Sequence, residues 1–367
     1  SLAGVEDLDL HVFAVKEHSA DTPRPDVEGA WYGPDAGTMA NASAVAFLFG
    51  REISNTQGVP VGIVLSYKGG TRAVNWTSQE VLAQNPDAGG HYRNYQKLVN
   101  AFPTAFDEWV AAGREGSAPR SPVRRLPSGY FNGMINGLIP FTMRGVIWYQ
   151  GETDSWNAEQ YTRMFPDLIS DWRRRWGQGD FPFFYVQLAG FNGKDGVDVN
   201  YPHLRDIQLK TLDVLPNLGM AVAIDAGDET DIHPRDKRAI AHRLALLARK
   251  RVYGESVADT GPVPEHISFA DGQAVVQFDT GDLVVDGESL RGFELAGESG
   301  QFEAARAVLD GERVVVSSDK VADPRYLRYA FRGFPDSNLY NSAGLPASPF
   351  RTDDFPRGEG AVKSVPE

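Results

Sequence analysis

Two hydrophobic periods divide the chain. In its first two thirds, apolar runs without alternation, "VPVGIVLSY" (59–67), "RGVIWYQ" (144–150), "FPFFYVQLAG" (181–190) and "MAVAID" (220–225), predict strands buried on both faces. "LDLHVFAV" (8–15) predicts a further strand, and a Pro/Gly-rich loop follows it to about Met39. Between these runs the period lengthens. "SAVAFLFGREISNTQG" predicts a helix closed by Gly58, and "GHYRNYQKLVNAFPTAFDEWVAAG" one interrupted at Pro103. "NAEQYTRMFPDLISDWRRRWG" predicts an amphipathic helix with a kink at Pro166, "HLRDIQLKTLDVLPNLG" another helix, and about Pro234–Tyr253 the last. Strands alternating with helices make an α/β chain, with a parallel sheet covered on both faces.

After about Gly254 the period shortens to two. "AVVQFD", "LVVDG", "FELAG" and "RVVVSS", separated by Gly/Asp turns, predict hairpins or a small sandwich. The division expected is therefore 1–254 for the α/β domain and 255–367 for a β-rich C-terminal region.

In parallel sheets, chemistry collects at the C-terminal ends of the strands. Three polar clusters fall there: "SYKGGT" (66–71), "YQGETD" (149–154) and "DAGDETDIH" (225–233). Paired glycines let a backbone approach a ligand, and equally make a tight turn. Gln150 suits an oxyanion and Glu152 the orientation of an imidazole; an ordinary polar loop looks the same. His233 is a candidate base with Asp231 two residues before it. The plain alternative is that an acid caps the following helix, with Pro234 at its first position. Acids at this spacing also occur in hard-ion sites, but the glycine and terminal glutamate of a calcium loop are missing, and no metal is expected. The other histidines and the tryptophans read as structural or solvated, and a sugar-stacking role for Trp76 or Trp156 is the weaker reading.

Composition narrows the classes. A net charge of −13 and a pI of about 5.1 argue against nucleic acid and anionic membrane as partners. With no cysteine, thiolate nucleophiles and cysteine metal sites are excluded. No apolar run reaches the ~18 residues of a membrane span. The start "SLAGVEDLDLHVF" lacks the basic and apolar regions of a signal peptide and an initiator methionine; a processed chain or a fragment reads this way.

Four stretches taken together, "GVPVGIVLSYKGGTRAVNW", "PSGYFNGMINGLIPFTMRGVIWYQGETD", "DIHPRDKRAIAHRLAL" and "SNLYNSAGLPASPFRTDD", resemble the sialate O-acetylesterases of the SGNH hydrolase superfamily, in order from about Leu8 to Asp354. The resemblance implies a three-layer α/β/α, flavodoxin-like esterase that removes acetyl groups from sugars without a cofactor, in a secreted or periplasmic location. Carried over by motif, Gly69, Gly70, Gln150 and Asn132 line the oxyanion and substrate region. His233 is the general base, and Asp231 or Glu152 orients it. The family's nucleophile belongs to a GQSN-type motif upstream of the strand matched by Leu8–Val15, and neither that motif nor a GxSxG elbow occurs in these 367 residues. A companion N-terminal segment or chain is then the expected source of the serine. The rivals are a non-catalytic carbohydrate-binding relative, or a glycoside hydrolase pairing Glu152 with Asp231 or Asp228. Where the family has Ser-Trp before the glycines, this chain has Tyr67-Lys68.

Overall fold

The computed structural model describes residues 5–40, 42–193 and 200–356. The chain forms two compact units: residues 1–43, 60–145 and 159–181 make the first, and 44–59, 146–158 and 182–367 the second.

The first unit is built on β1 (Leu10–Val15), β2 (Gly29–Tyr32) and β3 (Val61–Leu65). β1 is central, parallel to β3 and antiparallel to β2. β2 lies inside the stretch expected to be loop. It is four residues long and exposed throughout, so it has no hydrophobic period to betray it. A short helix, α1 (Ala36–Met39), follows it. This unit also holds α3 (Gln79–Leu82), α4 (Ala88–Ala111) and most of α5 (Ala158–Trp176). Pro103 does not interrupt α4, which runs through it, and Pro166 likewise lies within α5. Each proline removes one N–H, a loss that a long helix with intact flanking turns absorbs.

The tightest packing in this unit comes from the repeat Asn132-Gly133…Asn136-Gly137. Asn132 Nδ2 donates to the Ala20 carbonyl at 3.0 Å and Asn136 Nδ2 to the Arg24 carbonyl at 2.8 Å. A Cβ on Gly133 would stand 2.1 Å from the His18 carbonyl oxygen, and one on Gly137 2.4 Å from the Asp26 carbonyl carbon. Both pairs, on a π-helical turn (Phe131–Ile135) and the 3-10 turn that follows it (Asn136–Leu138), meet the same passing segment. The glycines admit the passing backbone and the asparagines fasten it.

The second unit carries the parallel sheet β4 (Val146–Trp148), β5 (Phe183–Gln187) and β6 (Leu218–Val222), in that order. Every residue of β5 and β6 is buried, as the unbroken apolar runs require, whereas β4 is half-buried. Helices α2 (Ala44–Gln57), α6 (Tyr201–Thr211) and α7 (Arg238–Arg251) belong to the same unit. α2 ends where Gly58 adopts φ 60°, its N–H returning to the Ser54 carbonyl at 2.9 Å.

The C-terminal strands are antiparallel, as their alternation predicts. β7 (Pro264–Ala270), β8 (Gln273–Phe278), β12 (Arg306–Asp310) and β13 (Arg313–Ser317) form one sheet. β10 (Phe293–Ala296), β11 (Glu303–Ala304), β14 (Tyr326–Tyr329) and β16 (Phe350–Arg351) form another. Their inward faces share a core that includes Val276, Leu295, Val314 and Leu327. The β7–β8 hairpin turns on Asp271-Gly272, both at positive φ, the Asp-Gly turn whose twist suits a two-residue loop. β9 (Val284–Val285) pairs with β15 (Leu339–Tyr340). Residues 357–367 of the β-rich region lie outside the described residues. Among the described residues, no helix is long and apolar enough to cross a membrane.

The late stretch 337–354 turns out to be a fastening. Asn338 Nδ2 donates to the Asp286 and Ser289 carbonyls, and Asn341 Nδ2 to that of Thr260. Ser348 Oγ accepts from Gln187 Nε2 at 3.0 Å, and Arg351 Nε reaches Asp206 at 2.8 Å. These bonds return the end of the chain to β5 and α6.

Candidate active site

β4 ends on Trp148, and Tyr149-Gln150-Gly151-Glu152 make the turn that follows. Gly151 has φ 148°, where a side chain is strained, and a Cβ there would lie 2.7 Å from Leu204 Cδ2. Gly151→Ala is therefore expected to lower stability by about 1–3 kcal/mol, the usual cost of overpacking, and to disturb the Glu152 position. Denaturant unfolding checks this; an unchanged midpoint would show that the turn relaxes freely.

Gln150 Nε2 donates to Asp154 Oδ2 at 2.7 Å, so one of its N–H groups is spent inside the loop. Ser155 Oγ donates to the Glu152 carbonyl at 2.8 Å. The Glu152 side chain keeps some exposed surface, but protein atoms crowd its carboxyl. Burial raises its pKa above the usual 4.5, and nearby Asp154 adds to this, while a bond to its own backbone N–H, Lys237 and His233 work against it. Tyr149 and Tyr201 face the same carboxyl: burial first, then the Glu152 charge, pushes both phenols up. Tyr201 is 3% exposed, and its hydroxyl has no hydrogen-bond partner among the described residues.

The β6–α7 loop brings His233. Its acids are accounted for one at a time. Asp225 forms a two-pronged ion pair with Arg243, at 2.6 and 2.7 Å. Asp228 accepts the backbone N–H groups of Thr230 and Asp231, both at 2.9 Å, which holds its pKa down. Asp231 accepts the His233 backbone N–H at 2.8 Å, and its carboxylate stands 3.9 Å from the imidazole Nδ1, beyond hydrogen-bond reach. The loop thus runs on through Pro234, and α7 starts at Arg238 rather than at Pro234. Asp236, not the acids before Pro234, accepts the first helical N–H, from Arg238 at 2.9 Å. The His233 side chain is 87% exposed, ready for a partner on its open side.

Two members of this cluster were not visible in the sequence. Lys237 lies with its ammonium 5.3 Å from the Tyr149 ring centroid. It follows His233 at a spacing of four, but the residues between them are not helical, so the spacing carries no signal. Arg205, fully buried on α6, donates to the Leu188, Ala189, Arg332 and Gly333 carbonyls at 2.6–2.8 Å and fixes the chain leaving β5.

The remaining predicted residues belong to the first unit. Gly69 and Gly70 are exposed; Gly70 has φ 71°, and Arg124 donates to the Gly69 carbonyl at 2.7 Å. Lys68 pairs with Glu17, whose other oxygen accepts from the Tyr130 hydroxyl at 3.4 Å. Ser66 Oγ donates to the Met134 carbonyl at 3.1 Å. Asn132 is buried and its amide nitrogen is the fastener described above; its Oδ1 has no partner among the described residues. Trp76 is buried and stacked on Tyr130, with centroids 5.1 Å apart, which makes it core.

Comparison with known proteins places this arrangement. The family model for carbohydrate esterases, described as sialic acid-specific acetylesterase, matches residues 128–248, from the Asn-Gly repeat through α7. The structure resembles that of a carbohydrate acetylesterase from Xanthomonas citri, with a TM-score of 0.82 and 36% identity, over 96% of this chain and 75% of that one. The fold is thus that of an SGNH-like α/β esterase with added C-terminal antiparallel strands. The chain is 36% identical to the sialate O-acetylesterase of Mus musculus over 278 residues, covering 66% of this chain and 50% of that protein. It is 34% identical to the human sialate O-acetylesterase over 248 residues, 62% of this chain and 42% of that protein. The chain belongs to the sialate O-acetylesterase family. It spans about half the length of the curated relatives it matches.

Proposed function

We propose that the chain carries the base-bearing part of a carbohydrate O-acetylesterase, acting on acetyl esters of sugars by a serine–histidine mechanism. The observation that carries this reading is that Glu152 and His233 follow the C-terminal ends of β4 and β6, two strands of one parallel sheet, with protein atoms crowding the Glu152 carboxyl. A carboxylate held out of water beside an imidazole stabilises the imidazolium that forms when the base accepts a proton. His233 takes the proton of the serine hydroxyl and returns it to the departing sugar alcohol. Glu152 is assigned as the orienting acid; Asp231, whose Oδ1 accepts the His233 backbone N–H and stands 3.9 Å from the imidazole, is the alternative. Gly69, Gly70, Gln150 and Asn132 keep the oxyanion and substrate assignment that the family motif implies. No cofactor enters the mechanism.

The serine comes from outside these 367 residues, in a companion segment or chain. The exposed open side of His233 and the half-burial of the apolar strand β4 support an added element there. A secreted or periplasmic location suits a substrate of acetylated glycans.

The test uses Glu152→Gln. A carboxyl with a raised folded pKa contributes stability that is fully present below its unfolded value and is lost as pH rises through the folded value. The variant should therefore gain stability over the wild type as pH rises from about 4.5, the ordinary value, while acetate release falls. Equal stability at every pH, or full turnover, removes Glu152 from the site.

A further inference from the structure

We propose that Lys237 is a positioning residue of this site: seated against the Tyr149 ring, its ammonium holds Glu152 as a carboxylate facing His233. The inference rests on the reading of Glu152 as the site's working acid.

Placement is the first argument. Lys237 is the N-cap residue immediately before α7, and its own side chain makes no capping bond there. A helix N-terminus is the positive end of the peptide dipoles, so a cation there is repelled. Lys237 is also half-buried, which costs an ammonium its hydration. Both effects oppose a charged lysine at this point, and an alkyl or acidic side chain would avoid them. Something must offset them.

The surroundings supply it. The ammonium lies 5.3 Å from the Tyr149 ring centroid, within range of the ring's negative face. Tyr149 is three residues from Glu152 on the turn that leaves β4, so this contact ties the start of α7 to that turn. Glu152 and Asp231 both act on Lys237 in the sense that favours its charge, against the effect of burial. Among the described residues, Lys237 and His233 stabilise the charge of Glu152, Asp154 opposes it, and Tyr149 and Tyr201 present phenols that remain neutral.

Function gives the arrangement its sense. Burial alone would leave Glu152 protonated further up the pH scale, and a neutral carboxyl cannot stabilise an imidazolium. A fixed cation nearby restores the charge without supplying a competing proton acceptor. Lys237 does not touch the ester; it acts through Glu152.

The experiment is a ¹³C titration of protein labelled at the glutamate carboxyl carbon, with the Glu152 resonance assigned by its loss in Glu152→Gln. In Lys237→Met the Glu152 midpoint is expected to move upward, and in Lys237→Arg to stay near the wild-type position. A merely structural lysine would leave the midpoint unmoved in Lys237→Met, and that result overturns the proposal. So does an equal shift in the arginine variant, which keeps the charge. Tyr149→Leu, which removes the ring and leaves every charge, is expected to give a smaller upward shift than Lys237→Met; no shift at all would show that the ring does not seat the ammonium. The titration needs no turnover. A Lys237→Met shift in a protein that releases no acetate even when extended with a serine-bearing segment would sink the esterase reading and leave this one standing.

Discussion

Acetate release by the assembled site falls about 10³-fold or more when His233 is replaced by alanine. A serine hydroxyl is a poor nucleophile at neutral pH, and general-base assistance alone is worth roughly 10²–10⁴. The loss should appear in kcat rather than KM, because the imidazole acts on a proton in flight and contributes little to ground-state binding. His233→Ala should leave stability unchanged, since its side chain is 87% exposed and its backbone N–H still reaches Asp231. Asp231→Asn should then be mild by comparison, because an amide oxygen can accept that same backbone N–H. Steady-state kinetics on an O-acetylated sugar, together with the unfolding midpoint, separate these outcomes. Equal losses in the two variants would restore Asp231 as the orienting acid.

The largest stability effect is expected at Arg205. Its guanidinium is fully buried, yet among the described residues no carboxylate lies within ion-pair distance; four backbone carbonyls receive it instead. Burial pulls its pKa down to about 9, which still leaves it charged at neutral pH. Arg205→Met would fill most of the volume and strand carbonyls that now have a donor. Among the described residues, Gly333 alone keeps a second one, the Phe191 N–H at 2.9 Å. Each buried acceptor left without a partner costs about 1–3 kcal/mol, so a total of about 3 kcal/mol or more is expected, about 4 °C or more in the melting temperature of a chain this long. Arg205→Lys should lose less, since three ammonium protons replace part of the fork. Buried charges are at times replaced by apolar groups at no cost. A methionine variant that melts at or above the wild-type temperature would place Arg205 among these.

How far the sequence foretold this molecule depends on the range of the forces involved. β5 and β6 were legible because burial on both faces leaves an unbroken apolar run, and β8 and β13 because their alternating apolar residues sit between Gly/Asp turns. The turn after β4 was legible because Gly151 and Glu152 are consecutive. The start of α7 was misplaced for a physical reason. Pro234 is a favoured first helical residue, but Asp228 and Asp231 bind backbone N–H groups in the loop and hold it open four residues longer. Strand β2 escaped because four exposed residues carry no period. Lys237 and Arg205 escaped because a charged residue on a predicted helix reads as solvated. Only the fold shows that one lies over the Tyr149 ring and the other among carbonyls 16 to 128 residues away.

The late stretch 337–354 points the same way. It carries the family resemblance as strongly as the QGE turn, yet its side chains are spent on fastening the chain end to β5 and α6. A family motif marks a constraint, and the structure decides whether that constraint is chemical or mechanical.

The central claim is that this chain holds the base and its orienting acid, and that the serine arrives from elsewhere. The measurement that tests it most directly is acetate release from an O-acetylated sialic acid, by the 367 residues alone and by the same chain extended at its N-terminus with a segment carrying a GQSN-type serine. The predicted result is a residual rate for the chain alone, a rise of about 10³-fold or more on extension, and its abolition by His233→Ala in the extended protein. Full release by the 367 residues alone would contradict the account.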